Sequence, residues 1–392
     1  MSRSGNSVRH VFIIGSRGLP AKYGGFETFV ENLVSHQQTA DIQYHVACLS
    51  DSKHHQHVDY KGADCFYIKP PKIGPARVIA YDLMAIAYAL TLIKKHAIES
   101  PIFYILGNTI GGLASPVMHR IHRSGGKVLI NPDGLEWKRS KWSAPVRGYL
   151  KYAEKQMVKR ADLVVADNAG IEAYIHTTYP NAHTTCIAYG TETRQSGYTS
   201  KSPEVRSFLE KWQTTEQDYY LIVGRFVPEN NYEAMIRAFM ASKVTEKLLI
   251  VCNHDNNPYL KTLQDATGFE QDDRICFVGT VYDQDLLRYI RQEALAYIHG
   301  HEVGGTNPGL LEAMAYTPTN LVLDVVFNRE TAKDTVYYWQ KSEGKQLLTH
   351  LIEQVDANDA GLPPLSSSHQ LIQTQYSWET IVGQYERLFL KR

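Results

Sequence analysis

Three stretches place anion-binding or reactive side chains where an apolar, strand-like run gives way to a helix-like one. In VGRFVPEN (223–230) Arg225 follows such a run, and a guanidinium at a strand end suits bidentate contact with phosphate. In HGHEVGGTNPGLLEAMAY (299–316) a turn carrying His301 leads to Gly304-Gly305 and then to Thr306-Asn307-Pro308, which reads as the cap and first turn of a helix. Free amides at a helix start attract phosphate, and Glu312, about one turn further, is placed to accept hydrogen bonds from ribose hydroxyls. In GSRGLPAKYGGFETFV (15–30) the pair Gly24-Gly25 precedes a helix-like segment, and glycine lets backbone amides approach a bulky anion. Arg17 and Lys22 add positive charge to that loop. Its spacing is not that of a Walker loop and matches the dinucleotide fingerprint poorly. The bland readings are a tight turn, a surface arginine and an ordinary capped helix. The last explains Thr-Asn-Pro but leaves Gly304-Gly305 and His301 unexplained.

A second group of polar residues follows strand-like runs of the first half. Asp133 and Glu136 in NPDGLEWKRSKW (131–142) are carboxylates suited to orienting a hydroxyl. Asp167 and Asn168 in ADNAG (166–170) either cap the next helix or face a ligand. Tyr189 ends the last run of the first half, as a ligand contact or a packed hinge residue. The histidines of HHQH (54–57) lie in a polar loop without an accompanying cysteine or carboxylate set, so no metal site is expected.

The elements that must hold these residues alternate from end to end. Short apolar runs at 11–15, 44–50, 102–107, 127–134 and 162–168, then at 219–225, 247–253, 275–281, 294–300 and 319–325, are separated by helix-like patterns. That is α/β alternation with parallel sheets. At 392 residues the chain is too long for one ordinary core. We therefore expect two doubly wound, Rossmann-like domains, 1–195 and 196–377, facing a central cleft, with polar GTETRQSGYTSKSPEV (190–205) as linker. The amphipathic tail WETIVGQYERLFLKR is expected to pack back on the first domain. Ligands of such sheets bind at the carboxyl ends of strands, which is where the candidate residues fall.

Charge is unevenly spread: residues 1–195 hold 23 Lys and Arg against 15 Asp and Glu, while residues 196–392 hold 18 against 26. The basic stretch 138–160 is either a face for anionic lipid or phosphate or a solvated helix face. No nucleic-acid motif accompanies it. Five cysteines without a CxxC pair fit a reduced, cytosolic chain with buried thiols. The apolar stretch 78–93 contains Asp82 and falls short of a bilayer span, so a buried helix is expected there.

The three long motifs together resemble the GT-B glycosyltransferases of the large retaining family 4. The resemblance covers nearly the whole chain. RGLPAKYGGFETF, DGLEWKRSKW and HEVGGTNPGLLEAM are similar, more narrowly, to the bacterial rhamnosyltransferase branch that builds surface polysaccharides. The resemblance implies that Gly24 and Gly25 lie over the donor diphosphate and the acceptor. It implies that Arg225 neutralises the diphosphate as it leaves, Glu312 binds the ribose, and Gly279 borders the base. Gly304, Gly305, Thr306, Asn307 and His301 would hold the sugar and phosphate. Arg17, Glu136, Asn168 and Tyr189 fall on the acceptor side, with Asp133 and Asp167 near the reacting hydroxyl. The implied donor is dTDP-L-rhamnose and the implied acceptor a sugar on a polyprenyl diphosphate, reached by peripheral contact with the inner face of the cytoplasmic membrane. No cofactor, metal or nucleic acid is implied.

Two positions depart from the wider family. Asn230 stands where most relatives have a second cation, and Gly304 where they have the first of two glutamates. The narrower branch shares both departures. The competing expectations are another nucleotide-sugar donor, a GT-B enzyme without an acceptor, and a silent nucleotide-sugar-binding partner.

Overall fold

The computed structural model describes residues 8–21, 24–51, 57–132, 134–138, 142–303, 305–341, 344–357 and 366–391. The chain forms two compact units, residues 1–190 with 378–392, and residues 191–377.

Unit 1 is built on eight strands: β1 (Arg9–Ile14), β2 (Ile42–Leu49), β3 (His57–Tyr60), β4 (Ala63–Ile68), β5 (Ile102–Leu106), β6 (Lys127–Asn131), β7 (Leu163–Ala166) and β8 (Thr184–Cys186). Their spatial order is β3-β4-β2-β1-β5-β6-β7-β8. All pairings are parallel except β3 with β4. β1 and β5 are neighbours although three strands separate them in sequence, so the order reverses there and the ends of these two strands form the switch point of the sheet. The helices are α1 (Gly25–Ser35), α2 (Arg77–Lys95), α3 (Ala114–Arg123), α4 (Ala144–Val158) and α5 (Ala169–Thr178).

Unit 2 has a wholly parallel sheet of β9 (Tyr219–Val223), β10 (Lys247–Val251), β11 (Ile275–Gly279), β12 (Ala296–His299), β13 (Asn320–Leu323) and β14 (Tyr337–Trp339), in the order β11-β10-β9-β12-β13-β14. Its switch point is at β9 and β12. Its helices are α6 (Pro203–Trp212), α7 (Tyr232–Ala241), α8 (Pro258–Thr267), α9 (Gln284–Gln292), α10 (Pro308–Tyr316), α11 (Val326–Ala332), α12 (Gly344–Asp356) and α13 (Ser368–Leu371). The chain then returns to unit 1 as α14 (Trp378–Leu390).

The central strands are apolar on both faces because helices cover both. Val11, Phe12, Ile13 and Ile14 of β1 are all fully buried, as are Tyr220 and Leu221 of β9. α14 is integral to the core of unit 1: Trp378, Ile381, Val382, Tyr385 and Phe389 are buried with Phe29, Val30 and Tyr104. The Tyr385 and Tyr104 hydroxyls are 3.0 Å apart, and the Glu386 carboxylate accepts from the Gln38 amide at 2.7 Å.

The segment read as a linker is fastened to unit 2. Ser196 Oγ donates to the Asp285 carbonyl at 2.8 Å, the Gly197 amide donates to the Asp285 carboxylate at 2.8 Å, and Tyr198 donates to Asp283 at 2.8 Å. The polar residues that suggest a solvated linker instead satisfy the N-terminal end of α9. The helix over the apolar stretch 78–93 buries one face only, with Tyr81, Asp82, Ala85, Ile86, Ala89, Leu92 and Ile93 turned inward. The segment Gly74–Lys95 is long and apolar enough to cross a membrane by length and composition, but Asp82 lies on its buried face.

Candidate active site

In unit 1 the loop between β1 and α1 is shaped by glycines. Gly15, Gly18 and Gly24 adopt φ of 104°, 100° and 125°, a region that L side chains rarely occupy. A Cβ on Gly18 would lie 2.6 Å from Cys48 Cα, so the loop packs directly on β2. Two carboxylates one turn apart on α1 reach back to the loop. Glu27 accepts from the Arg17 amide at 2.7 Å, and Glu31 accepts from the Ala21 amide at 2.6 Å. Tyr60 donates to Glu31 at 2.5 Å and Tyr81 donates to the Ser16 carbonyl at 2.9 Å. Gly24 is the N-cap of α1 with no side-chain cap, and open space lies over the Cα of Gly25. The first amides of α1 are thus available to a ligand. Arg17 is exposed, and its carbonyl accepts from the Leu49 amide of β2 at 2.9 Å. Glu27 and Glu31 escaped the sequence reading, although their four-residue spacing straight after a glycine loop is a usable signal.

The loop after β6 carries a different load. Asp133 lies outside the described residues, as do Lys22 and Gly304. Glu136 accepts from Trp142 Nε1 at 2.8 Å, so this carboxylate closes its own loop. Trp137 covers the Lys151 ammonium of α4, 4.3 Å from the ring centre, with Tyr174 on another side at 4.7 Å. The buried Glu154 carboxylate accepts from Tyr174 at 2.6 Å and Tyr179 at 2.7 Å and pairs with Lys151 at 3.2 Å. The loop is clamped to α4 and α5 by a caged cation.

Asn168, expected on the acceptor side, caps α5 by accepting from the Gly170 amide at 2.8 Å. That occupies its side-chain oxygen and gives it a structural task. Asp167 is buried at the end of β7; burial raises the nearby Tyr104 and Tyr385 phenols, and the Asp167 charge adds a smaller push in the same direction. Tyr189 packs edge-on against Phe29 of α1 at 5.6 Å. At the β1/β5 switch point, Asp82 accepts from the Thr109 hydroxyl at 2.8 Å, and burial pushes its pKa up to about 7.

In unit 2 Arg225 leaves the end of β9 with its side chain exposed. Asn230 occupies the space next to it: its Nδ2 donates to the Arg225 carbonyl at 2.7 Å and its Oδ1 accepts from His301 Nδ1 at 2.7 Å. The residue standing where relatives carry a cation is therefore an amide bridge between two strand-end loops. Gly300 permits that approach, since a Cβ there would lie 2.5 Å from the Asn230 carbonyl oxygen. Asn231 donates to the Gly300 carbonyl at 2.7 Å, and buried Asn328 donates to the His301 carbonyl at 3.0 Å. Beneath them His299 is fully buried, with its pKa lowered to about 3 by burial and by the neighbouring His301. Glu302, out of register for the missing glutamate, pairs with Lys341.

Asn307 caps α10, accepting from the Gly309 amide at 2.8 Å and the Leu310 amide at 3.3 Å. Those two amides are thereby occupied, and the helix start presents fewer free donors than its sequence suggests. Thr306 is buried beside the cap and Gly305 is partly exposed. Glu312 is half-exposed, and one of its carboxylate oxygens receives the buried Arg291 guanidinium at 2.5 Å. Arg291 was not singled out from the sequence because it sits in an ordinary-looking amphipathic helix, α9. Gly279 ends β11 with φ of 85° and open space above it. Among the described residues no group of three His, Cys, Asp or Glu is arranged to hold a metal ion.

Residues 206–377 match the family model of glycosyl transferases group 1. The match lies within unit 2 and takes in Arg225, His301 and Glu312. Residues 8–192, which carry the glycine loop and the loops after β5, β6 and β7, match a domain of unknown function (DUF1972). No curated protein matches the chain in sequence. Among solved structures, the chain is similar to a sucrose-phosphate synthase from Thermosynechococcus elongatus, with TM-score 0.77 and 16% identity over 97% of this chain and 98% of that one. It is similar to HepE of Anabaena in complex with UDP, with TM-score 0.70 and 12% identity over 97% and 99%. It is also similar to an α,α-trehalose-phosphate synthase (UDP-forming) from Burkholderia xenovorans in complex with glucose-6-phosphate, with TM-score 0.70 and 9% identity over 98% and 100%. The fold is GT-B, two Rossmann-like α/β domains with parallel sheets.

Proposed function

We propose that the chain is a retaining glycosyltransferase that moves L-rhamnose from dTDP-L-rhamnose onto a sugar carried by a polyprenyl diphosphate. The observation that carries this reading is the group 1 domain with Arg225 exposed at the end of β9, on the same switch point as the start of α10 and the half-exposed Glu312. Arg225 faces the departing diphosphate, Glu312 the ribose, and Gly279 the base. His301, Gly305, Thr306 and Asn307 line the sugar and phosphate, together with Gly304. Gly24, Gly25 and Arg17 are assigned to anion and acceptor contacts within unit 1. Asp133 aligns the acceptor hydroxyl, with Asp167 and Tyr189 beside it.

The reaction forms a bond from the acceptor oxygen to the anomeric carbon on the face from which the diphosphate leaves. The anomeric carbon–phosphate oxygen bond breaks, and a leaving phosphate oxygen takes the acceptor proton. The protein contributes positioning and charge stabilisation.

Peripheral attachment to the inner face of the cytoplasmic membrane is supported by α4. Its first two turns are exposed and carry Val146, Tyr149 and Arg147, followed by exposed Tyr152, Lys155 and Lys159. Basic charge interleaved with aromatic and apolar side chains suits anionic lipid. Sedimentation with anionic vesicles is expected to show salt-sensitive binding, and its absence would argue for a soluble acceptor.

A second reading, a UDP-sugar donor, is favoured by the structural neighbours, one in complex with UDP and another described as UDP-forming. The test is a transfer assay offering dTDP-rhamnose, UDP-glucose, UDP-GlcNAc and GDP-mannose with lipid-diphosphate glucose or GlcNAc acceptors, products read by mass and by the anomeric NMR coupling. A deoxyhexose gained from dTDP-rhamnose alone supports the first reading. Gain from a UDP-sugar supports the second. Donor binding without transfer from any donor points to a silent partner subunit.

A further inference from the structure

Helix α2 has two apolar faces. From Val78 to Ile93 its only charged residue is Asp82, which is buried. The inward face packs Tyr81, Ala85, Ile86, Ala89, Leu92 and Ile93 into unit 1. The opposite face carries Ala80, Leu83, Met84, Ala87 and Leu90, whose spacing of three and four residues aligns them in one stripe. Met84 and Ala87 of that stripe are exposed, and Ala80, Leu83 and Leu90 are half-buried. A helix on a water-facing surface normally turns a polar face outward. α3 of the same unit does so, with His119, Arg120, His122 and Arg123 exposed. On α2 only 39% of the most apolar window is buried inside the fold. The stripe has basic ends: Lys72 just before the helix and Lys94 and Lys95 at its close are all exposed. Its apolar surface also continues toward α4. Tyr149 of α4 donates to the Thr109 carbonyl at 2.7 Å and the Thr109 hydroxyl donates to Asp82 at 2.8 Å, so the turn Thr109–Leu113 joins the two helices. Leu113 of that turn is exposed, as are Ile73 and Val78 around the start of α2.

We propose that the outward stripe of α2 lies flat in the surface of an anionic lipid bilayer, with Leu83, Met84 and Leu90 against the acyl boundary and the basic ends against the headgroups. This rests on the reading that the acceptor is borne at a membrane, and it assigns the apolar part of that contact to α2. Burial of an apolar helix face and attraction of its flanking lysines to anionic headgroups act together on such a surface. The surplus of 23 Lys and Arg over 15 Asp and Glu in residues 1–195 has the same sign. A second copy of the chain fits the stripe poorly. Parallel two-fold pairing sets Lys94 and Lys95 beside their own counterparts, and antiparallel pairing sets them beside Lys72, like charge on like in either case. The inner face of the same helix holds the loops at the carboxyl ends of β1 and β5, through Tyr81 to the Ser16 carbonyl at 2.9 Å and through Asp82 to Thr109. Seating α2 on lipid therefore brings those loops to the bilayer surface.

The experiment is flotation of the full chain with vesicles of phosphatidylcholine and phosphatidylglycerol, using wild type, Met84→Leu and the double variant Met84→Glu/Ala87→Glu. Wild type and Met84→Leu are expected to float alike. The double variant is expected to bind about tenfold or more weakly, since a carboxylate on the stripe is desolvated and repelled by the anionic surface. An environment-sensitive fluorophore on Ala87→Cys, read against wild type taken through the same labelling, is expected to shift to the blue on vesicle binding. The same dye on Lys243→Cys of unit 2 is expected to keep its emission. Met84 and Ala87 are exposed, so these variants should melt near wild type. If the double variant fails to fold, the Ala87 probe carries the test alone. A double variant that floats as well as wild type, an unshifted Ala87 probe on bound protein, or an equal shift at both labelled positions would overturn the role of α2 while leaving membrane attachment to α4. A wild-type dimer that the double variant dissolves, without a lipid-induced shift at Ala87, would overturn it in favour of a second copy. Wild type that floats with no vesicle would remove the membrane reading itself, and the proposal with it.

Discussion

Individual side chains set the first expectations. Arg225 is exposed, so Arg225→Ala should leave the melting temperature nearly unchanged. On the proposed mechanism it should lower turnover by about 100- to 1,000-fold, as loss of a charge-stabilising donor does elsewhere. Intact turnover in the transfer assay would remove Arg225 from the mechanism. Two buried groups give the units opposite responses to pH. His299 has a folded pKa near 3 against 6.5 unfolded, lowered by burial and by His301. Its contribution is fully present above pH 6.5 and is lost as pH falls toward 3, by about 1.4 kcal/mol per pH unit within that window. His299→Phe should flatten the acid limb of unit 2 denaturation. Asp82 goes the other way. Burial raises it to about 7 while the Thr109 hydroxyl partly offsets this, so the folded state favours its protonated form. That preference is fully present below about pH 4 and is lost as pH rises through 7. Asp82→Asn should therefore stabilise unit 1 more at pH 8 than at pH 5, read by chemical denaturation followed in each unit.

At the scale of elements, the loop joining β1 to α1 is the clearest unit of design. Its backbone amides at Arg17 and Ala21 are held by Glu27 and Glu31, which belong to the helix the loop introduces. The loop is therefore shaped before any ligand arrives. Glu27→Ala removes a charged acceptor from the part-buried Arg17 amide, with an expected cost of about 1–3 kcal/mol. Gly24→Ala should be comparably damaging, because its φ is 125° and the new Cβ would lie 2.0 Å from Glu27 Oε2. Both variants should weaken donor or acceptor affinity beyond their effect on stability, measured by titration well below the unfolding temperature. Short polar strands were the elements hardest to read. β3, β8 and β14 have three or four residues each, and HVDY and TTC carry no apolar run. β4, ADCFYI, was missed because an aspartate interrupts it, and that aspartate accepts from His45 at 2.8 Å and His57 at 2.6 Å. By contrast the central strands β1, β5, β9 and β10 are continuous apolar runs, legible because both faces are covered.

Over the whole molecule, the chain crosses between units twice, at 190/191 and 377/378, so α14 belongs to unit 1 although unit 2 precedes it in sequence. Tyr385 and Phe389 are fully buried against Tyr104 and Phe29, and Glu386 satisfies the amide of Gln38. Truncation before Trp378 should therefore unfold unit 1, while Tyr385→Ala should cost about 3–5 kcal/mol by leaving a cavity. Selective loss of the unit 1 transition in a two-step denaturation curve would show it, and an unchanged transition would mean that α14 is a surface decoration.

Hydrophobic periodicity and turn chemistry in the sequence determined the α/β alternation, the placement of glycine loops at strand ends and the helix starts at Gly25 and Pro308. Those are local matters, decided within a few residues by φ, by capping and by the pattern of burial. Tertiary structure alone decided which polar groups are occupied. Asn168 and Asn307 are engaged as caps, Glu136 is bound by Trp142, and Asn230 bridges Arg225 to His301. Arg291 reaches Glu312 from another helix, and Glu386 reaches Gln38 across 348 residues of chain. A hydrogen bond is satisfied or left open by neighbours in space, and a sequence supplies the donors and acceptors without their pairing.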